Sequence, residues 1–235
     1  MVRHMQGGII AAGLGSRFRQ AGISTPKPLI KIGGRPLISW TIHQFLEADV
    51  HDIHVIFRTA ICEQCVSFLQ ANHPEIDFEF ICKDTESSAE SFLTLLRTWK
   101  ENQTVLITTV DSIYQPKMLK RLRQSAEKGT EDTLYLGLTS HIEDEKPLYA
   151  KVTKDNTIIW LGDKGGEIVT SGAYLLPARI ARDKNPKGYK ALRAVLKEFV
   201  SSPDITAFGV DLGKVLDVDR PEDIVSAERF IASFI

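Results

Sequence analysis

The chain has 235 residues and a formal net charge of −1, with 43% hydrophobic and 25% charged residues. That is the composition of a folded globular chain, and a balance so near neutrality argues against a protein devoted to nucleic acid or to an anionic membrane surface. No apolar run is long enough to span a bilayer, and the opening residues MVRHMQGG carry no apolar signal-peptide core. We expect a cytoplasmic protein with neither nucleic acid nor membrane as a partner; the sequence leaves homo-oligomerisation open.

In chain order, Ile9–Ala12 reads as a strand and Leu37–Ala48 as a helix. His54–Phe57 is a strand, Ile61–Ala71 a helix, and Phe78–Ile81 a strand. Ser91–Trp99 is a helix with Phe92, Leu95, Leu96 and Trp99 on one face; Val105–Val110 is a strand and Met118–Ala126 a helix. Continuous apolar strands separated by amphipathic helices imply a parallel sheet covered on both faces. The second half changes character. Thr133–Leu138, Leu148–Thr153, Thr157–Leu161 and Val169–Leu175 are strands in quick succession, with Asp155-Asn156 a turn signal. A helix over Lys190–Val200, strands near Thr206–Val210 and Lys214–Val218, and a closing helix over Pro221–Phe234 follow. The fold class expected is α/β and Rossmann-like: a mostly parallel central sheet, helices on both faces, and an inserted β-rich lobe. One domain divides near residue 130 into halves of about 6–130 and about 131–235.

The three cysteines, Cys62, Cys65 and Cys82, are few and odd in number, which suggests a reducing compartment and no disulfide framework. Cys62 and Cys65 fall on the apolar face of a helix and read as small buried residues, since no further ligands complete a metal set.

Gly13 and Gly15 follow the first strand directly. Ligands of such sheets bind beyond the carboxyl ends of the strands, and glycines let backbone N–H groups approach a phosphate. The dinucleotide fingerprint fails, because Phe18 stands at the third glycine and Phe57-Arg58 supplies no ribose-binding acid. A Walker A loop also fails for want of its Gly-Lys-Ser/Thr end. What remains is a loop of about twenty residues, long enough to be functional. Within it Thr25-Pro-Lys-Pro28 holds Lys27 on a stiff backbone, extended before Pro28.

The blocks Ala11-Ala-Gly-Leu-Gly-Ser-Arg17, Pro26-Lys-Pro-Leu29 and Gly34-Arg-Pro-Leu-Ile38, in that order, resemble the signature of the sugar-phosphate nucleotidyltransferases. The resemblance implies that residues 6–130 bind a nucleoside triphosphate through Ala11, Ala12, Gly13, Gly15, Ser16, Arg17 and Lys27. It implies that residues 131–235 receive a phosphorylated acceptor, most simply a sugar 1-phosphate.

Asp111 stands at the carboxyl end of an apolar strand, at the crevice of the glycine loop, and carboxylate oxygens suit Mg²⁺. The resemblance gives it the same role. Of the acids in Asp217-Val-Asp-Arg-Pro-Glu-Asp223, Asp219 reads as the cap of the last helix, with Pro221 in its first turn. That leaves Asp217 as the second metal ligand, with chelation by both acids still open; the family's second metal-binding acid also aligns with Asp217.

The family commonly has a Glu-Lys pair where this chain has Asp163-Lys164, the lysine contacting the acceptor phosphate. Gly172, in Ser171-Gly-Ala-Tyr174, would allow close approach of the acceptor. Glu90 occupies the family's base-reading position, in a segment that lacks the usual glycine; a carboxylate accepts from guanine or cytosine, which points to GTP or CTP. The reaction implied is in-line attack of an acceptor phosphate on the α-phosphorus, assisted by Mg²⁺ on Asp111 and Asp217 and by Arg17, Lys27 and Lys164. A non-sugar acceptor (a polyol phosphate, a phosphocholine-like amine or a pterin) remains open. So does a non-catalytic regulator, although its mark would be loss of the cations or acids, and all are present. A glycosyltransferase of related fold would want Asp-x-Asp after the central strand, where Asp111-Ser112-Ile113 stands. No appended β-helix domain is expected after the last helix.

Overall fold

The computed structural model describes residues 5–129, 132–142 and 146–234. The junction expected near residue 130 falls at positions outside the described residues. The first half runs β1 (Gln6–Ala11), α1 (Ser16–Gln20), β2 (Lys31–Ile32), β3 (Arg35–Pro36), α2 (Leu37–Glu47), β4 (Asp52–Phe57), α3 (Thr59–Asn72), β5 (Asp77–Cys82), α4 (Ser88–Leu96), β6 (Thr104–Thr109), β7 (Ser112–Tyr114) and α5 (Met118–Ser125). The second half runs β8 (Thr133–Thr139), β9 (Tyr149–Val152), β10 (Ile158–Gly162), β11 (Ile168–Pro177), α6 (Leu192–Ser201), β12 (Thr206–Asp211), β13 (Val215–Asp217) and α7 (Pro221–Ala232).

Among the described residues nine strands form one sheet, with the path β10-β9-β11-β6-β1-β4-β5 and with β8 joined to β11 and β12. β1 lies at its centre, parallel to β4 on one side and to β6 on the other. The chain therefore steps outward from β1 through β4 to β5, then returns to place β6 on the far side of β1. That reversal is a topological switch point, where a crevice opens beyond the carboxyl ends of the strands. The β-rich half continues the same sheet instead of building a sheet of its own. β11 runs antiparallel to β6 and to β8, while β12 is parallel to β8.

One face of the sheet packs α4 and α6 through Phe92, Leu95, Leu196 and Phe199, and the other packs α2 and α5 through Ile42, Phe45 and Leu122. Burial of so many branched and aromatic side chains, each contributing about 1.5–3 kcal/mol, holds the layers together. A third cluster gathers Phe18, Ile32, Trp40, Leu216 and Phe230, and so joins the start of the chain to α7.

That cluster corrects the expectation of an unbroken twenty-residue loop after β1. The segment contains α1, a 3-10 turn over Lys27–Leu29, and the hairpin β2–β3. Its apolar residues Phe18, Ile30 and Ile32 are buried, which orders the backbone between them. Lys27 opens the 3-10 turn, closed by a 2.8 Å bond from the Leu29 N–H to the Pro26 carbonyl, where the proline spacing predicts extended backbone.

The cysteine expectation is corrected as well. Cys65 is a free buried thiol, but Cys62 is disulfide-bonded to Cys82 across α3 and β5, with their Cα atoms 5.7 Å apart. Twenty residues separate the two, and only the parallel β4–α3–β5 unit brings them together. Among the described residues no helix is long and apolar enough to cross a membrane.

Candidate active site

The switch point gathers the residues that the sequence scatters. β1 ends at Ala11 and its neighbour β6 at Thr109, and the Val110 N–H donates to the Ile10 carbonyl at 3.1 Å. The glycine loop and Asp111 therefore leave adjacent strands side by side. Beyond β6 the chain turns into β7, which pairs antiparallel with β13 and sets Ser112 opposite Asp217. The Val218 N–H donates to the Asp111 carbonyl at 3.0 Å. This short ladder brings the acids of the last turn to the end of the central sheet.

Lys27 sits between them. Its Nζ lies 2.7 Å from Asp111 Oδ2 and 2.6 Å from Asp219 Oδ1, with only 11% of the side chain exposed. Arg17 Nη1 approaches the other oxygen of Asp219 at 3.4 Å. Burial by itself would depress the Lys27 ammonium, but the two carboxylates overcome it and hold the group above the usual lysine range. Burial would likewise raise Asp111; the Lys27 charge and hydrogen bond prevail and keep it an anion. Asp217 accepts a hydrogen bond from Ser112 Oγ at 2.5 Å.

Two cavities flank this cluster. The first, about 310 Å³, has Ala11, Ala12, Gly13, Lys27 and Asp111 at one end. Arg58, after β4, and the segment Thr85–Ser88, after β5, line its other end, across β1 from Asp111. A Cβ built on Gly13 would meet open space, so the loop backbone stands bare toward a ligand. Gly15 adopts the left-handed conformation at the N-cap of α1, φ 58°, which frees the chain to turn out of β1. Ser16 opens α1 and is exposed. The second cavity, about 140 Å³, is lined by Arg17, Asp217, Asp219 and Arg220, and by Ser171, Val169 and Val215. Ser171 is 3% exposed and its hydroxyl has no hydrogen-bond partner among the described residues. A buried hydroxyl left so is costly unless a ligand or water completes it.

Several expected roles change. Asp219 does not cap α7; Asp223 does, accepting from the Asp219 and Arg220 N–H groups at 2.8 and 2.7 Å. Pro221 prefers the first helical position, which makes Arg220 the N-cap and Asp223 the third residue. That frees the Asp219 carboxylate for Lys27 and Arg17.

Glu90 does not line the larger of the two cavities. Ser87 caps α4 by accepting from the Glu90 N–H at 3.1 Å, and the Glu90 carboxylate turns back to accept from the Glu86 N–H at 2.8 Å and to pair with Lys83 at 3.2 Å. Its carboxylate is taken up by the turn that leads into α4, and the lean toward GTP or CTP loses the residue on which it rested.

Asp163 is held by Arg193 at 3.1 Å and Lys197 at 2.6 Å, both on α6. Neighbouring Lys164 is exposed in the turn between β10 and β11, and neither residue lines either cavity. Gly172 has φ 76°, and a Cβ there would come within 2.6 Å of Ser112 Oγ and 2.7 Å of Thr109 Oγ1. It permits close approach of protein to protein, and it does not line either cavity.

The residues missed from sequence are Asp219 in its ionic role, Arg58, Thr85–Ser88 and Ser171. Only Asp219 had a signal: proline at the first helical position sets the register of the cap. The others become neighbours only when β4, β5 and β11 join the sheet.

Residues 7–197 match the model of the MobA-like NTP transferase domain. Among curated proteins, the CMP-5'-(3-aminopropyl)phosphonate synthase of Streptomyces rubellomurinus is 23% identical over 75% of this chain and 29% of its own length. The 2-aminoethylphosphonate cytidylyltransferase of Lancefieldella rimae is 29% identical over 46% of each. The chain thus spans less than half the length of these two relatives. The inositol-1-phosphate CTP transferase from T. maritima shares the fold, with a TM-score of 0.79 over 96% of this chain and 97% of that one at 19% identity. The match over most of the chain, together with a glycine loop, a lysine and acids assembled at one switch point, shows that the chain belongs to the family of MobA-like NTP transferase domains.

Proposed function

We propose that the protein transfers a nucleoside monophosphate from a nucleoside triphosphate to a phosphorylated or phosphonylated small molecule, releasing pyrophosphate. The observation that carries this reading is Lys27, held by Asp111 and Asp219 between two cavities. The glycine-loop cavity suits the triphosphate, because bare backbone and a cation meet there. The smaller cavity, with Arg17 and Arg220, suits the acceptor anion.

In the reaction, an oxygen of the acceptor attacks the α-phosphorus and the bond to the β-phosphate oxygen breaks. The acceptor is already an anion, so no catalytic base is needed; the difficulty is repulsion between like charges. Lys27 and Arg17 lie where they counter it. Asp111, in the turn between β6 and β7, and Asp217, at the end of β13, fit Mg²⁺, since both offer hard oxygens and the acidic cluster already attracts an ammonium. Two protein carboxylates suffice for an ion that takes its remaining ligands from phosphates and water, and that screens phosphate charge when bound. Among the described residues no group of three His, Cys, Asp or Glu side chains could hold a metal alone.

The three relatives named above carry CMP, cytidylyl or CTP in their names, which makes CTP the first donor to try, although other matches are named for UTP or thymidylyl transfer and for glucose 1-phosphate. The same three names favour a non-sugar acceptor such as an aminoalkylphosphonate or inositol phosphate. The fold offers one observation in the same direction: Lys164 and Gly172, which recommended a sugar phosphate, stand outside the acceptor cavity. A donor triphosphate is a metabolite of the cytoplasm, which supports a cytoplasmic site of action. The test is pyrophosphate release with Mg²⁺ across four NTPs, each with glucose 1-phosphate, inositol 1-phosphate and 2-aminoethylphosphonate. We expect release with CTP and one non-sugar acceptor; silence across the whole panel would overturn the assignment.

A further inference from the structure

The Cys62–Cys82 bond ties down the wall that closes the far end of the first cavity. Cys62 lies in the first turn of α3, and Cys82 is the last residue of β5. From Cys82 the chain runs through a loop, without helix or strand, to the N-cap Ser87. Beside the disulfide, the start of α3 grips this loop through polar contacts. Arg58 donates to the Thr85 carbonyl at 3.2 Å and pairs with Asp84 at 3.3 Å, and the Thr59 N–H donates to Asp84 at 3.2 Å. Arg58 and Thr85–Ser88 are the cavity wall opposite Lys27 and Asp111. With phosphates at the lysine end, that wall receives the nucleoside.

Asp84 is exposed and its contacts are partly so, and such ion pairs contribute little by themselves. The covalent bond is the strong tie between α3 and the end of β5, from which the loop departs. Cys82 is exposed, so a thiol in solution can reach it. Cys65, one turn further along α3, is wholly buried, and burial pushes its thiol up to about 12, out of the exchange.

We propose that Cys62 and Cys82 form a thiol–disulfide exchange site, addressed by small-molecule thiols and disulfides, that sets the protein's affinity for its nucleotide. The inference rests on the nucleotide reading of the first cavity. A thiolate attacks Cys82 Sγ, the Sγ–Sγ bond breaks, and Cys62 leaves as a thiolate that takes a proton. A second thiolate attacks the mixed disulfide and releases Cys82, so two thiols give two electrons to the protein and leave as one disulfide. Oxidation is the reverse, with a small disulfide as the oxidant. Bonded, the pair holds the start of α3 to the end of β5; reduced, it leaves the wall to its hydrogen bonds, from Arg58 to Thr85, between Thr85 and Ser91, and from Glu86 to Glu90.

The experiment compares full-length protein equilibrated with oxidised glutathione and with dithiothreitol. Thiol titration after unfolding should find one thiol in the first sample and three in the second. Calorimetric binding of Mg·CTP without acceptor should weaken about fivefold or more on reduction, the lower end of usual coupling between sites. Restoring the disulfide should restore affinity. Cys82→Ser, an exposed and mild substitution, should bind like the reduced form and ignore both reagents, and Cys65→Ser should respond like the wild type. Hydrogen exchange at residues 83–91 should accelerate on reduction, whether or not nucleotide is present. Equal affinity in the two forms, three thiols after oxidation, or a Cys82→Ser protein that still responds would each overturn the proposal. Faster exchange on reduction with no nucleotide bound in either form would overturn the nucleotide reading of the cavity, and with it the affinity role.

Discussion

Lys27 shows how a single residue is made functional by what surrounds it. A lysine among prolines is an ordinary surface cation until two carboxylates close on it. Here Asp111 comes from the middle of the chain and Asp219 from near its end, and together they leave it only 11% exposed. An ammonium so held is already desolvated and aimed, so it stabilises charge in the transition state without reorganising. Lys27→Ala should lower turnover about 10²–10³-fold, as removal of a preorganised electrostatic donor does. Lys27→Arg keeps the charge but not the compact shape and should recover only part of it. Steady-state rates beside circular dichroism check this; a folded Lys27→Ala protein turning over normally would contradict the site. Gly172 illustrates the converse, a residue whose value lies in what it lacks: any Cβ would strike Ser112 and Thr109, which support Asp217 and the end of β6.

At the scale of elements, α4 carries the wall of the larger cavity and depends on its cap. Ser87 Oγ accepts from the Glu90 N–H, and the Glu90 carboxylate accepts from the N–H of Glu86, the residue before the cap. The Glu86 N–H bond, opposed by burial and aided by Lys83, holds the Glu90 carboxyl below its usual range. A lowered carboxyl contributes stability that is fully present above its unfolded value of about 4.5 and is lost as pH falls through the lower folded value. Glu90→Gln keeps the shape without the charge. The stability gap between wild type and Glu90→Gln, measured by urea unfolding, should therefore be widest near about pH 6 and shrink toward about pH 3. A gap that stays constant or widens on acidification would show that the charge is not what the cap uses.

Across the whole molecule, the site is assembled from β1, β6, β7, β13 and the loop before α2, so ligand binding bridges segments far apart in the chain. A ligand that binds only the assembled form stabilises it by about 2.7 kcal/mol at a hundred times its Kd. For a chain of this size each kcal/mol raises Tm by roughly 2–4 °C. Mg·CTP should raise Tm accordingly in thermal melts, and Asp111→Asn should reduce the rise while leaving the ligand-free protein folded. A rise undiminished in that variant would remove Asp111 from the nucleotide site.

Much was legible in the sequence, and the reasons are local. Apolar periodicity marked the principal strands and helices, because side-chain spacing is dictated by each element's own geometry. The glycine loop, Lys27 and Asp111 could be read as a phosphate site because they flank strand ends, and function in such sheets collects there. What the sequence could not decide were the pairings between distant segments. Whether Asp217 or Asp219 meets Lys27 depended on the register of β13 against β7 and on a proline one residue inside α7. Whether Glu90 reads a base or seals its own helix depended on which way its carboxylate turned. Cys62 and Cys82 became partners only when β4 and β5 lay parallel with α3 across them. Local propensity acts within a few residues along the chain, but ion pairs, caps and disulfides are set by distances in space, and those exist only once the sheet has closed.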